Sequence, residues 1–257
     1  MVIPGITAEE LEDFLDYFFE SKLVAAPEVL DAKRQQRRFA NLFRLGHLWD
    51  MEETRKVARE GLEGLPLKSA TVLHYARCFH VPDWVDPVVR RLLCPVPISR
   101  VLDDVTGSED RTTVPQLTND DACTLGGMTI NILYQAYLAI QHERNVIAYA
   151  APRLPITEDM DFGDCSNHTE CIRILPDFWF RTVGRKVLHP KSPLPLKEIG
   201  AYLRNHGPFP GMTPKCYADM VAKWEQNCFG EEAIIDAAVK GIQRFNSFYG
   251  IAVRVDD

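Results

Sequence analysis

The chain has 257 residues, enough for one or two domains with ordinary cores. An apolar fraction of 46% and a charged fraction of 25% are those of a globular protein, which excludes a disordered or fibrous chain. The net charge of −7 argues against a nucleic-acid-binding domain, which needs a basic face, and against adhesion to anionic lipid.

In chain order, the first predicted helix is marked by Thr7 and Glu10, a capping box in which each side chain satisfies a free amide of the first turn. Leu11, Phe14, Leu15 and Phe18 follow at helical spacing as an apolar stripe. A second helix is predicted over 32–48 with Phe39, Leu42, Phe43 and Leu45 inward. Its basic start, KRQQRR at 33–38, reads as a solvated helix end rather than a nucleic-acid or localisation patch, given the acidic total. A third helix over 52–65 buries Val57, Ala58 and Leu62 before Pro66 stops it. Residues 68–79 and 82–93 form another short pair.

Pro95 and Pro97 punctuate the chain before a short predicted helix at 98–105. The polar, turn-rich stretch TGSEDRTTVPQLTND then places a domain boundary near residue 110. Thr118 or Asn119 caps a long helix running to about residue 150. Within it, 128–140 is the nearest approach to a membrane-length apolar run, but it is short and carries Asn131 and Gln135. Further helices are predicted at 168–188 and 196–205. A last helical region opens at Pro214, which suits a first helical turn, and Gly230 divides it. With no alternating strand pattern, the fold expected is all-α: stacked helical hairpins in two parts, 1–110 and 111–257, with at most a vestigial strand near the N-terminus.

Three segments carry a resemblance. ITAEELEDFLDYFF, with Leu11, Phe14, Leu15, Phe18 and Phe19, resembles the late part of a BTB/POZ domain. FANLFRLGHLWDMEETRKVAREGL and VLHYARCFHVPDWVDPVVRRLL are similar to the closing helices and next hairpin of a fungal BTB-like family, with Val81, Pro82 and Trp84 as landmarks. Cys165, His168, Cys171, Trp179, Leu188, Pro190, Gly211, Met212 and Cys216, then FGEEAIIDAAVKGI, resemble its C-terminal region. The resemblance implies protein–protein interaction, as an adaptor or scaffold, without catalysis. The family's opening strands and helices correspond to nothing before Ile6 here. Its dimerisation surface and cullin-binding element lie in that part, so neither a family-type homodimer nor cullin engagement is carried over.

Helices built to pack on that absent part are expected to show an apolar patch at Phe14, Phe18, Phe19 or Phe43. Phe178, Trp179 and Phe180, three adjacent aromatics around one helix, are a second candidate contact set, set against burial between two helices. The opening MVIPGITAEE lacks a basic segment leading into an apolar stretch, so no secretory signal is expected. Seven cysteines cannot all pair within the chain. Free thiols in an intracellular protein, cytoplasmic or nuclear, are the simpler account.

Candidate chemistry gathers in GDCSNHTEC at 163–171, where Cys165, His168 and Cys171, with Cys216 as a fourth, are zinc-type ligands. On one continuous helix Cys165 and Cys171 stand about 9 Å and about 120° apart, too far for one ion. The site therefore requires Cys165 to fold back from a preceding loop. Without that, Cys171 packs in the core, His168 hydrogen-bonds near the helix start, and no cofactor is expected. The overlapping DMDFGDCSNHTE departs from a calcium loop, because Asp164 stands where glycine is needed. No Gly-x-Ser-x-Gly, His-Glu-x2-His or phosphate-cradling glycine loop is present, so no enzyme is expected. Structural zinc binding is the alternative function, and a hydrolase assembled from distant residues stands behind it.

Overall fold

The computed structural model describes residues 5–20, 31–94, 113–152, 165, 167–190, 192–226 and 230–248. Among them every regular element is helical: α1 (Ala8–Glu20), α2 (Ala32–Leu48), α3 (Glu52–Glu63), α4 (Ser69–Cys78), α5 (Val85–Leu93), α6 (Asn119–Leu125), α7 (Gly127–Tyr149), α8 (His168–Trp179), α9 (Arg185–Val187), α10 (Ile199–His206), α11 (Pro214–Gln226) and α12 (Gly230–Phe248). No strand occurs in the described residues, and the fold is all-α. No helix among them is long and apolar enough to cross a membrane.

The capping box of α1 forms as its sequence requires. The Thr7 amide donates to Glu10 Oε2 at 2.8 Å and the Glu10 amide to Thr7 Oγ1 at 3.2 Å. The inward face of the helix is another matter. Glu10, Asp13 and Phe14 are buried, whereas Leu15 and Phe18 of the predicted apolar stripe are exposed. The reason is α2: Asn41 Nδ2 donates to Asp13 at 2.8 Å, Arg38 reaches Asp13 and Asp16 at 3.3 and 2.9 Å, and Arg44 pairs with Glu10. The basic run is thus no purely solvated end. Lys33 and Arg34 are exposed, but Arg37 pairs with Glu9 and Arg38 is buried. Groups of this kind, once partly desolvated, must stay paired, and that requirement sets how α1 rotates on α2.

Buried apolar side chains gather in two clusters. The larger joins α1 through α7 with the last helix, α12, which brings Ile235, Ala238, Val239 and Ile242 against α5 and α7. Phe43 stacks on Phe79 at 4.6 Å within it. The smaller is built from α8 to α11 around Trp179, Phe209, Met220 and Trp224. Arg144 of α7 and Glu231 of α12, both buried, pair between the clusters, and Glu231 Oε2 also accepts the Leu196 amide at 3.1 Å. The boundary expected near residue 110, the helix expected at 98–105 and most of the calcium-like segment lie outside the described residues.

Two long predicted helices are broken. The helix expected from 118 to 150 is α6 and α7, divided at Gly126, whose φ of 77° lies in the left-handed region that side chains disfavour. Arg77 caps the break by donating to the Leu125 carbonyl. The helix expected over 168–188 is α8, a wider π turn at Phe180–Gly184 and α9. Pro176 removes one backbone donor from α8 just before that turn. A Cβ on Gly184 would stand 2.7 Å from the Ala148 carbonyl oxygen, so glycine there lets the turn lie against α7.

Candidate metal centre and exposed aromatic face

Two helix starts converge to make the sulfur-rich site. Asn167 caps α8 by accepting the Glu170 amide at 3.3 Å, which leaves Cys165 off the helix and makes His168 its first residue. Thr213 caps α11: its Oγ1 accepts the Cys216 amide at 3.4 Å and its carbonyl accepts the Tyr217 amide at 3.0 Å. Cys165 folds back between these ends. Its Sγ lies 3.4 Å from Cys216 Sγ and 3.9 Å from Cys171 Sγ, and His168 Nδ1 lies 3.2 Å from Cys216 Sγ. The donor atoms of Cys165, His168 and Cys216 all fall within 4.8 Å of one another. The obstacle posed by a continuous helix is therefore absent, because the chain turns before His168.

Hydrogen bonds divide the thiols electrostatically. The Thr213 hydroxyl donates to Cys165 Sγ at 3.4 Å, and the Cys216 thiol donates to the same sulfur. With help from the Asn167 amide and Cys171, these hold the Cys165 thiol down at about 6, so it is a thiolate at neutral pH. Burial, together with the neighbouring sulfurs, pushes Cys216 up to about 11 and keeps its proton in place. The unpaired amides and positive dipole end of a helix start also favour an anion at this corner. Cys171 is buried and Cys165 and His168 are half-buried, so the cluster sits at the margin of the smaller core.

The aromatic candidates part company. Phe43 and Trp179 belong to the two cores, and Trp179 Nε1 donates to the Ile147 carbonyl at 2.8 Å. Phe178 and Phe180 are half-buried, stacked on Phe209 at 5.9 Å and on Tyr149 at 5.2 Å. Phe14 is buried, but Phe18 is 48% and Phe19 82% exposed. Leu15, Leu48 and Trp49 are exposed as well. Phe14 links two of them, Phe18 and Trp49, its ring 4.7 Å from each.

Sequence reasoning passed over two residues that matter here. Thr213 was legible as a helix cap, since a threonine before a first-turn proline is a common start signal. Arg144 was legible too: it continues the buried α7 register of Leu133, Ala136 and Ile140, where a charge demands a partner. Comparison with known proteins adds nothing to this geometry: no family model matches the chain, and no curated protein or solved structure is similar to it.

Proposed function

We propose that this chain is a non-catalytic protein–protein interaction protein, an adaptor or scaffold of the fungal BTB-like kind, working inside the cell on a partner protein rather than on nucleic acid or membrane. The observation that carries this is the orientation of α1. The helix is held to α2 by its acidic side, so Leu15, Phe18 and Phe19 face outward, and Phe14 bridges the exposed Phe18 ring to exposed Trp49 just past the end of α2. Rings exposed next to one another are costly in water, and aromatic anchors of this kind dominate the energy of protein interfaces. The resemblance of the same helix to the late part of a BTB domain supports the reading, and the partner's contact would be an apolar groove or helix face.

The test is a paired substitution, Phe18→Asp with Phe19→Asp. Both side chains stand apart from the ion pairs of α1, but Phe18 packs on the Phe14 ring whereas Phe19 is 82% exposed, so the pair should cost about 1 kcal/mol in urea unfolding and leave the chain folded. Partners captured from the native cell by the unaltered chain should bind the variant at least about 30-fold more weakly, as expected for loss of a hot spot of about 2 kcal/mol. Tyr134→Asp on the exposed face of α7 serves as the control and should leave capture intact. An identical partner set from the double variant, or no reproducible partner at all, defeats the proposal.

A further inference from the structure

We infer that Cys165, His168, Cys171 and Cys216 bind one zinc ion, clasping the starts of α8 and α11 together. This site is separate from the proposed docking face. In a tetrahedral zinc site with Zn–S bonds of about 2.3 Å and Zn–N of about 2.0–2.1 Å, sulfurs stand about 3.8 Å apart and sulfur and nitrogen about 3.6 Å apart. Cys165 Sγ stands 3.4 Å from Cys216 Sγ and 3.9 Å from Cys171 Sγ, and His168 Nδ1 stands 3.2 Å from Cys216 Sγ, so these three contacts are already close to zinc-site spacing. Cys165, His168 and Cys216 supply three ligands whose donor atoms already face one another. Cys171, on the next turn of α8 and 3.9 Å from Cys165 Sγ, stands outside that group of three and becomes the fourth ligand of a Cys3His set by rotating its side chain toward it.

The surroundings fit a resident ion better than plain packing. A corner filled only for its volume has no need of Cys165, His168 and Cys216 gathered within 4.8 Å of one another, with the Cys171 thiol beside Cys165, since hydrocarbon packs there without polar atoms to satisfy. Thr213, by donating to Cys165 Sγ and capping α11, holds both the loop sulfur and the Cys216 backbone, as an outer support of a metal ligand does. Each ligand thiol that still carries its proton releases it to solvent as its Zn–S bond forms, and His168 binds as neutral imidazole through Nδ1. Four protein ligands leave no open coordination position, so the site is structural.

The experiment uses the full, untagged chain purified in reductant without chelator. Elemental analysis should return one zinc per chain after gel filtration. Metal-free protein titrated with Co2+ should saturate at one equivalent, with the visible bands of tetrahedral cobalt and a thiolate-to-cobalt charge-transfer band. Cys165→Ser with Cys216→Ser should abolish both signals, whereas Cys123→Ser, at an exposed thiol elsewhere, should leave them unchanged. Cys171→Ser should lower the charge-transfer absorbance by about a third, one thiolate of three. Folded, fully reduced wild-type protein that takes up neither zinc nor cobalt overturns the inference, and that titration decides the matter if a variant fails to fold. Cobalt spectra unaltered by the double substitution overturn it equally.

Discussion

The two cores close differently. The larger fills its centre with hydrocarbon and stacked rings, Phe43 on Phe79, with Leu73, Leu92 and Ile140 fully buried, and meets charge mainly at its edge with α1. The smaller has a comparable aromatic centre, Trp179 against Trp224, but at one corner its helices meet start to start over sulfur and nitrogen. Helix flanks offer apolar stripes and are satisfied by hydrocarbon. Helix starts offer unpaired amides and a positive dipole end, and are satisfied by hydroxyls, carboxylates or thiolates. Where the chain brings two starts together, polarisable polar atoms are the matching fill.

The difference can be attacked first at the joint between the cores. Glu231→Ala leaves Arg144 buried without its carboxylate and the Leu196 amide without an acceptor. A loss of about 3–5 kcal/mol is expected in urea unfolding, enough to separate the transitions of the two cores. Within the larger core, Leu73→Ala should cost about 2–5 kcal/mol while leaving the reactivity of Cys165 toward iodoacetamide unchanged. In the smaller core, Thr213→Val removes the cap and the hydroxyl on Cys165. The expected cost is about 0.5–2 kcal/mol. In metal-free protein, the pH midpoint of Cys165 alkylation should also move up from about 6. A midpoint that stays put would show that the hydroxyl does not set the thiolate.

The smallest effect concerns the rim of α12. Hydrogen bonds from Arg90, then Lys197, hold the Glu232 carboxyl below its ordinary value. The folded state therefore gains stability that is fully present above about pH 4.3, the unfolded carboxyl's range, and is lost as pH falls through the lower folded value. Both side chains are well exposed, so the gain is below about 1 kcal/mol. Arg90→Ala should flatten that acid limb of the stability profile, measured by thermal melting between pH 3 and pH 6 (about one unit either side of the carboxyl range).

Legibility in the sequence followed locality. Thr7 with Glu10, Pro214 at the start of α11 and Gly230 at the start of α12 act within one turn of their own helices, and each was readable. The break at Gly126 was readable in the Gly126-Gly127 pair, a turn signal, but the apolar residues on either side favoured one continuous helix. The π turn after Pro176 depends on the close approach to Ala148, a contact from another helix. The rotation of α1 was hidden for the same reason: helical spacing favoured Leu15 and Phe18 inward, whereas Arg38 and Asn41 of α2 drew Asp13 there instead. At the sulfur site the residue types were readable, but the meeting of His168 with Cys216 spans 48 positions and depends on a fold-back of Cys165 that no local pattern encodes.

The seating of α12 against α5 has a consequence for the order of events during synthesis. Arg90 and its partner Glu232 are 142 positions apart. At elongation rates of about 5–20 residues per second, the ribosome needs about 7–28 s to make that interval. Until then the faces of α5 and α7 that receive Ile235 and Ile242 lack their cover. The nascent chain thus carries an uncovered apolar face through that window, and slowing translation between α5 and α12 lengthens its exposure to aggregation.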